Sequence, residues 1–294
     1  MPPRREAREQ VPTMDPDTDG LPAGTSIGRA ALRVADLEDV AAFYREVVGL
    51  DRLERTDSRA VLGAGDTPML VLERDPDAPP RKSTGAGLYH NAFRVPSRAA
   101  LGDALGRIRD RWHLDGASDH GVSEALYLTD PADNGVEIYR DRPRDEWPRG
   151  DDGSVQMGTD PLDMDGVRAA AAGDSGVPAA TDLGHVHLEV TSLDGFRECY
   201  VETLGFEIQM EVPAAAFVSA GGYHHHVGAN TWHQRSGPAE GQGLDWFEIV
   251  LPSASALDAV RERVAASRFG LTEREEGIAV TDADGIDVRL RAED

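Results

Sequence analysis

Apolar residues recur along the chain with two different periods. Between positions 37 and 48 they fall three or four residues apart, as on one face of an amphipathic helix. The residues with this spacing are Leu37, Val40, Ala41, Tyr44, Val47 and Val48. Short apolar or alternating runs on either side predict a strand at 27–34 and three short strands ending near Arg74. The pattern therefore predicts the element order βαβββ.

The same order of elements follows at once. A strand is predicted at 88–95, a helix at 98–112, and then a hairpin that contains Tyr127 and Glu137. The first half of the chain is thus predicted to comprise two βαβββ modules.

The second half of the chain repeats the first. Residues 21–50 align with 177–206 at a shift of 156 positions, and 87–97 align with 243–253 at the same shift. The identical pairs in the first block include Gly28 with Gly184, Leu32 with Leu188, Tyr44 with Tyr200, and Gly49 with Gly205. One shift shared by two separate blocks indicates an internal duplication, and hence four modules. Both Gly49 and Gly205 directly follow a predicted helix, where glycine commonly ends it.

Polar and Pro-rich stretches divide the chain. Residues 1–24 are charged and Pro-rich, and we expect a disordered tail there. A first domain is predicted at 25–145 and a second at 182–294. The segment 146–181 between them is polar and rich in Gly, Asp and Ala, with one helical stretch at 161–172, and is predicted to be a linker.

The net charge of the chain disfavours nucleic acid as a partner. The 294 residues include 53 acidic and 30 basic side chains, a formal net charge of −23, which disfavours contact with nucleic acid. The basic residues are nearly all arginine, with Lys82 the one lysine. This balance favours a halophilic source, and an acidic protein from a GC-rich genome is the alternative.

Other features of the composition indicate a cytoplasmic protein that does not enter membranes. No apolar run approaches the ~18 residues of a membrane span, and the N-terminus lacks an apolar signal core. The single cysteine, Cys199, lies in a predicted amphipathic helix and has no partner for a disulfide within the chain.

The segment 119–137 carries the clearest candidate chemistry. It places a general acid/base (His120), a phenolic donor (Tyr127) and a carboxylate (Glu137) in the predicted hairpin. Alternation along the strands can direct all three side chains into one cavity. Glu137 lies between Val136 and Ile138, and an unpaired carboxylate in such an apolar strand would be costly, so we expect a cation there.

This segment resembles the signature of type I extradiol ring-cleavage dioxygenases, with a histidine, a tyrosine, a Pro-containing turn and an iron-binding glutamate. The four βαβββ modules resemble the vicinal oxygen chelate superfamily, which includes those enzymes. The resemblance implies an α+β fold with two tandem glyoxalase/extradiol-dioxygenase-like domains that form cup-shaped sheets. It further implies a divalent metal bound by residues on the first and last strands of the modules.

Two modules offer ligands at those positions. Module 2 has His90 on its first strand and Glu137 on its last, and module 3 has His185 on its first strand. Two imidazoles and one carboxylate are the ligand set of non-haem Fe(II) oxygenases, so Fe(II) is expected, with Mn(II) as an alternative. Modules 2 and 3 could pair within one chain or across a swapped dimer.

The other two modules offer no credible site. Arg29 stands at the ligand position of module 1, and Trp246 with Asp287 at those of module 4. A guanidinium does not ligate a cation, and an indole only donates hydrogen bonds. Modules 1 and 4 are therefore predicted to be scaffold.

The resemblance also implies three catalytic residues, with His225 as acid/base and His120 and Tyr127 directing the substrate oxygens. His225 belongs to a tract, 223–226, that we expect on the last strand of module 3. Strand alternation would turn His224 and His226 to the face opposite His225. The preceding Gly-Gly pair invites a bulge, so the spacing does not decide which of these faces meets the cavity. His224, His226 and His187 are candidates for supporting or substrate-binding roles.

The expected activity is a metal-dependent extradiol dioxygenase in the catabolism of aromatic compounds. It would cleave catechol or a substituted catechol with O₂ to a 2-hydroxymuconic semialdehyde-type product. One alternative is a glyoxalase-like isomerase or lyase with Ni or Zn and a fourth ligand, and another is a non-catalytic binder of small aromatics. The His120 and Tyr127 spacing favours the dioxygenase. Exposed module edges would favour a homo-oligomer.

Overall fold

The computed structural model describes residues 20–151 and 153–293. Within these ranges the fold is α+β and contains the four expected βαβββ modules. Module 1 comprises β1 (Ser26–Val34), α1 (Leu37–Phe43), β2 (Asp51–Arg55), β3 (Arg59–Ala64) and β4 (Thr67–Arg74). Module 2 comprises β5 (Gly87–Arg94), α2 (Arg98–Arg111), β6 (Gly116–Asp119), β7 (Ser123–Thr129) and β8 (Gly135–Asp141).

The connecting segment and the second half complete the fold. The segment between the repeats contains a 3₁₀ turn (Arg144–Glu146), β9 (Asp160–Pro161) and α3 (Met164–Ala170), so the helix expected at 161–172 is confirmed. Module 3 comprises β10 (Asp182–Glu189), α4 (Leu193–Phe196), β11 (Glu207–Val212), β12 (Ala215–Ser219) and β13 (Val227–Asn230). Module 4 comprises β14 (Gly243–Leu251), α5 (Ala254–Ala266), β15 (Leu271–Arg274), β16 (Gly277–Thr281) and β17 (Asp287–Ala292).

Local chemistry begins and ends the helices. The side chain of Asp36 accepts the N–H groups of Glu38 and Asp39 in the first turn of α1, and that of Ser97 accepts the N–H of Ala100 in α2. Helix α1 continues as a π-helical turn, Tyr44–Val48, which stops at Gly49 with φ 95°. Helix α4 likewise continues as a π-helical segment, Arg197–Thr203, and the chain leaves it at Gly205 with φ 94°. A positive φ is strained for most residues but not for glycine, so both expected stop positions are confirmed.

The strands form two sheets. The eight-stranded sheet has the order β15-β16-β17-β14-β1-β4-β3-β2, and the nine-stranded sheet has the order β11-β12-β13-β10-β5-β8-β7-β6-β9. Module 1 thus pairs with module 4 through β1 and β14, and module 2 pairs with module 3 through β5 and β10. Both junctions are antiparallel and form within one chain.

Each sheet consequently contains one module from each repeat. The domain ranges 25–145 and 182–294 stay a prediction, and neither sheet is made from one of these ranges alone. The expected linker also contributes to a sheet, because β9 pairs with β6 at its edge.

The three adjacent histidines do not lie on a strand, which corrects one expectation. Strand β13 begins only at Val227, and the tract 223–226 forms the loop before it. The cause is the Gly221-Gly222 turn, where both residues adopt positive φ values of 62° and 64° and delay the return of the chain to the sheet. The carbonyl of Tyr223 accepts a hydrogen bond from Ser219 Oγ, which stabilises the looped path.

The expected tail falls mostly outside the described residues, since these begin at Gly20. Leu21 is buried, and its N–H donates to the carbonyl of Gly205 at 2.8 Å. Among the helices of the described ranges, none is both long and apolar enough to cross a membrane.

Candidate active site

Four neighbouring strands of the nine-stranded sheet position the candidate site. Strand β5 lies between β10 and β8, and β8 lies between β5 and β7. In this register Glu137 is directly opposite Tyr127 on β7 and beside Ala92 on β5, while Ala92 faces His185 on β10. Side chains two residues apart share a face of a sheet, which puts His90 on the same face as Ala92. The pairing of modules 2 and 3 thus brings both histidines to Glu137.

The three expected ligand atoms converge. Glu137 Oε2 lies 2.9 Å from His90 Nε2 and 3.1 Å from His185 Nε2, and the two nitrogens are 3.3 Å apart. All three residues are buried. Among the described residues, only these three bring donor atoms of this kind within 4.8 Å of one another. Two imidazole nitrogens and a carboxylate oxygen aimed at one point fit a divalent metal ion.

The charges of the site also suit a cation. Burial alone would raise the pKa of Glu137, but the imidazoles of His185 and His90 oppose burial and hold this pKa well below its usual value. Burial lowers the pKa of His185 to about 4, despite the nearby Glu137. The site therefore presents a carboxylate and a neutral imidazole near neutral pH, and metal ligation needs both forms.

His185 is held by packing. Its Nδ1 atom is buried and has no hydrogen-bond partner among the described residues. Its ring centroid lies 4.0 Å from that of His225 and 4.9 Å from that of Tyr139. These two rings orient His185, in place of the hydrogen bond that often orients a metal-binding histidine.

His120 and Tyr127 form the expected pair. His120 follows β6, and its Nε2 lies 2.6 Å from Tyr127 Oη, while its Nδ1 lies 2.6 Å from the carbonyl of Gly158. A carbonyl only accepts, so Nδ1 donates to Gly158 and Nε2 accepts from the phenol. Burial, followed by the charge of Glu137, raises the pKa of Tyr127 well above its usual value. Tyr127 therefore stays a phenol.

We call His90, Glu137 and His185 the triad. Of the three adjacent histidines at 224–226, only His225 lines the cavity next to the triad. His224 is buried behind it, with Nδ1 2.8 Å from His225 Nδ1. His226 turns away, and its Nδ1 accepts the N–H of Ala220 at 3.2 Å. His187 also lines the cavity, and its Nε2 lies 3.1 Å from the amide of Asn230. Burial lowers the pKa values of His187 and His225 well below the usual value.

The cavity has a volume of about 390 Å³ and is mostly apolar. Several of its lining residues were not predicted from the sequence, namely Tyr89, Met157, Gly158, Thr159, Met210, Val212, Phe217 and Trp232. Those at 157–159 belong to the expected linker, which forms part of the wall. The linker is anchored by Trp147 and Val155, which pack against Val122 and Tyr223. Its irregular backbone carries no periodic signal from which this role could be predicted.

Comparisons with known proteins agree with this geometry. Residues 26–138 match the model of the Glyoxalase/Bleomycin resistance protein/Dioxygenase superfamily. The chain is also 41% identical over 269 residues to "Catechol-2,3-dioxygenase" of Bacillus subtilis (strain 168), an alignment that covers 88% of this chain and 94% of the relative. The chain belongs to this superfamily. Within the superfamily it is an extradiol-dioxygenase-like enzyme.

Solved structures share the superfamily fold at low sequence identity. A crystal structure from Bacillus subtilis subsp. subtilis str. 168, provisionally assigned as a dioxygenase, has a TM-score of 0.66 at 14% identity and covers 93% of this chain and 86% of that chain. Glyoxalase I from Zea mays has a TM-score of 0.57 at 15% identity, with coverage of 91% and 92%. At such identities the likeness concerns the fold alone.

The eight-stranded sheet carries other side chains at the positions that correspond to the proposed ligand positions of the nine-stranded sheet. Arg29 binds the buried Glu248 at 2.7 Å, and the guanidinium of Arg289 lies 3.8 Å from the ring centroid of Trp246. Asp287 pairs with Arg274 at 2.9 Å. The charges of these side chains are compensated within modules 1 and 4, as expected if these modules are scaffold.

Proposed function

We propose that this protein is a metal-dependent extradiol dioxygenase that uses O₂ to cleave catechol or a substituted catechol beside its two hydroxyl groups. The product would be of the 2-hydroxymuconic semialdehyde type. The observation that carries the proposal is the convergence of His90, Glu137 and His185 next to a cavity that the His120–Tyr127 pair and His225 also line. The name of the Bacillus subtilis relative supports the same reaction.

In the proposed enzyme His90, His185 and Glu137 hold the metal. The donor set suits Fe(II), with Mn(II) as the alternative. When bound, such a metal supplies a binding site for both catechol oxygens and for O₂, together with a path for electrons between them. The neutral imidazole and the carboxylate described above are the charge states that this ligation needs.

The surrounding residues orient the substrate and move protons. Tyr127, whose proton is donated to His120 at 2.6 Å, presents its phenolic oxygen as an acceptor for a hydroxyl of the substrate. His225, neutral and next to the triad, accepts the second phenolic proton of the catechol and later returns a proton to the reacting oxygens. Phe217 and Trp232 provide apolar surface for the ring.

The lining of the cavity also narrows the substrate class. None of its described lining residues is an arginine or a lysine, and Glu137 is the one carboxylate among them. An anionic substituent would lose its hydration there without a cationic partner. Catechol itself and catechols with neutral, apolar substituents are therefore the proposed substrates, and carboxylated catechols are disfavoured.

The proposal is tested by loading the purified protein with Fe(II) without oxygen and then adding catechol and air. We expect O₂ uptake matched by the appearance of a yellow ring-cleavage product, and loss of both in Glu137→Gln. The matched control is Glu248→Gln, which changes a buried carboxylate of the other sheet and should keep the activity. Tight binding of Ni or Zn, with no O₂ uptake after Fe(II) or Mn(II) loading, would contradict the proposal.

A further inference from the structure

A chain of hydrogen bonds leads away from the cavity behind His225. His225 Nδ1 lies 2.8 Å from His224 Nδ1, and His224 Nε2 lies 3.0 Å from Asp141 Oδ1. His224 is completely buried, and the rings of Tyr139, Trp147 and neighbouring residues pack around it. Two imidazoles thus link a carboxylate at the end of β8 to the cavity.

Asp141, at the far end of this series of hydrogen bonds, can only accept hydrogen bonds. Arg94 Nη1 donates to Asp141 Oδ2 at 3.0 Å, and the hydroxyl of Tyr223 lies 3.1 Å from the same oxygen. Arg94 is itself held by a second carboxylate, that of Asp182. With a guanidinium beside it Asp141 is a carboxylate, and an ionised carboxyl group has no proton to donate.

The direction of each hydrogen bond then follows for neutral rings. Since Asp141 accepts, His224 carries its proton on Nε2 and has a lone pair on Nδ1. Two facing lone pairs would repel each other at 2.8 Å, so His225 carries its proton on Nδ1 and donates it to His224. The Nε2 atom of His225 is left with a lone pair.

We propose that Asp141, acting through His224, holds His225 in the Nδ1–H form, so that Nε2 faces the substrate as a proton acceptor. This inference rests on the proposed function for the role of His225. Asp141 and His224 are positioning residues, since neither of them lines the cavity. A carboxylate that selects one tautomer of an imidazole is a known means of preparing a catalytic base, and here a second imidazole extends its reach.

The tautomer can be read directly on metal-free protein labelled with ¹⁵N in its histidines. Long-range ¹H–¹⁵N spectra distinguish a protonated Nδ1 from a protonated Nε2, and His225→Gln assigns the signals of that ring. We expect the Nδ1–H form of His225 in the wild type. A protonated Nε2 on His225, whether His224 is neutral or an imidazolium, would overturn the inference.

Asp141→Asn adds the causal test. An amide can donate to His224 Nε2, which would reverse both hydrogen bonds and protonate His225 on Nε2. The matched control is Asp182→Asn, which makes the same change in the other carboxylate on Arg94 and leaves the contact with His224 intact. We expect the changed tautomer in Asp141→Asn only. A spectrum of Asp141→Asn that matches the wild type would contradict the inference.

Kinetics on the Fe(II)-loaded enzyme separate this inference from the proposed function. We expect kcat for catechol to fall at least about 10-fold in Asp141→Asn with little change in KM, and both to stay near wild type in Asp182→Asn. A wild type that cleaves no catechol but shows the expected tautomer would refute the function and leave the hydrogen-bond assignment standing. A wild type that cleaves catechol with His225 protonated on Nε2 would refute the inference alone.

Discussion

Tyr127 and Glu137 lie directly opposite each other on the antiparallel strands β7 and β8. This single register places a phenol next to a carboxylate that has both His90 and His185 within 3.1 Å. A slip of one residue along either strand would turn that strand's side chain to the opposite face of the sheet. The hairpin therefore couples the proposed metal ligand to the phenol proposed to contact the substrate.

Replacing Tyr127 with Phe should reduce kcat/KM for catechol about 100-fold, because it removes the hydroxyl that His120 holds. Iron content and thermal stability should stay close to those of the wild type, since the ring itself is retained. Steady-state O₂ uptake and metal analysis check the two parts. Unchanged kcat/KM would show that the hydroxyl plays no part in the reaction.

The apolar cavity predicts discrimination by substrate charge. Catechol and 4-methylcatechol should be cleaved with kcat/KM at least about 10-fold higher than 3,4-dihydroxybenzoate, whose carboxylate would lack a cationic partner. Comparable values for the charged and neutral substrates would contradict the proposed substrate class.

Val212 offers a way to weaken this preference. It lines the cavity and is 42% exposed, so Val212→Arg places a cation at the mouth. The relative kcat/KM for 3,4-dihydroxybenzoate should rise roughly fivefold, a small factor because a partly exposed charge pair is screened by solvent. Val212→Gln is the neutral control, and an equal gain there would exclude a charge effect.

A buried carboxylate in module 4 predicts how stability depends on pH. Burial raises the pKa of Asp282 to about 6, although backbone N–H groups and the hydroxyl of Tyr200, 3.0 Å away, stabilise its charged form. The folded protein therefore holds a proton on this group between about pH 4 and 6, where the unfolded chain has lost it. This group's contribution to the free energy of unfolding falls as pH rises through that window.

The Asp282→Asn substitution isolates this effect. Its free energy of unfolding relative to the wild type should rise between about pH 4 and 6, by up to about 3 kcal/mol, and then level off. Urea unfolding of both proteins across this range gives the difference. Asp130 accepts a hydrogen bond from Tyr44 at 3.1 Å and also has a raised pKa. The free energy of unfolding of Asp130→Asn relative to the wild type should therefore also rise with pH. A free energy of unfolding of Asp282→Asn relative to the wild type that stays constant or falls as pH rises would contradict this prediction.

Much of the fold could be predicted because its signals are local or repeated. The spacing of apolar residues located the helices, and Gly49 and Gly205 marked where two of them end. The duplication then set the number of modules. The positions of His90 and Glu137 on the first and last strands of module 2 followed from this division.

Three features depended on contacts that no local pattern records. The pairing of β5 with β10 joins residues about 95 positions apart, so the sequence left open whether His90 and His185 meet within one chain. The Gly221-Gly222 pair indicated a bulge before the tract 223–226, but the hydrogen bond from Ser219 Oγ to the Tyr223 carbonyl, which stabilises the looped path, has no local signal. The wall at 157–159 lies in a segment without periodicity, and its carbonyl at Gly158 holds His120 only once the chain has folded.

The most direct test of the central claim is anaerobic titration of the metal-free protein with Fe(II). We expect one ion per chain in the wild type and in Glu248→Gln, and affinity weakened at least about 100-fold in Glu137→Gln, since loss of contacts outside the ligand set alone costs about 10- to 100-fold. Equal affinity for Fe(II) in Glu137→Gln and the wild type would contradict the assignment of His90, Glu137 and His185 as the metal site.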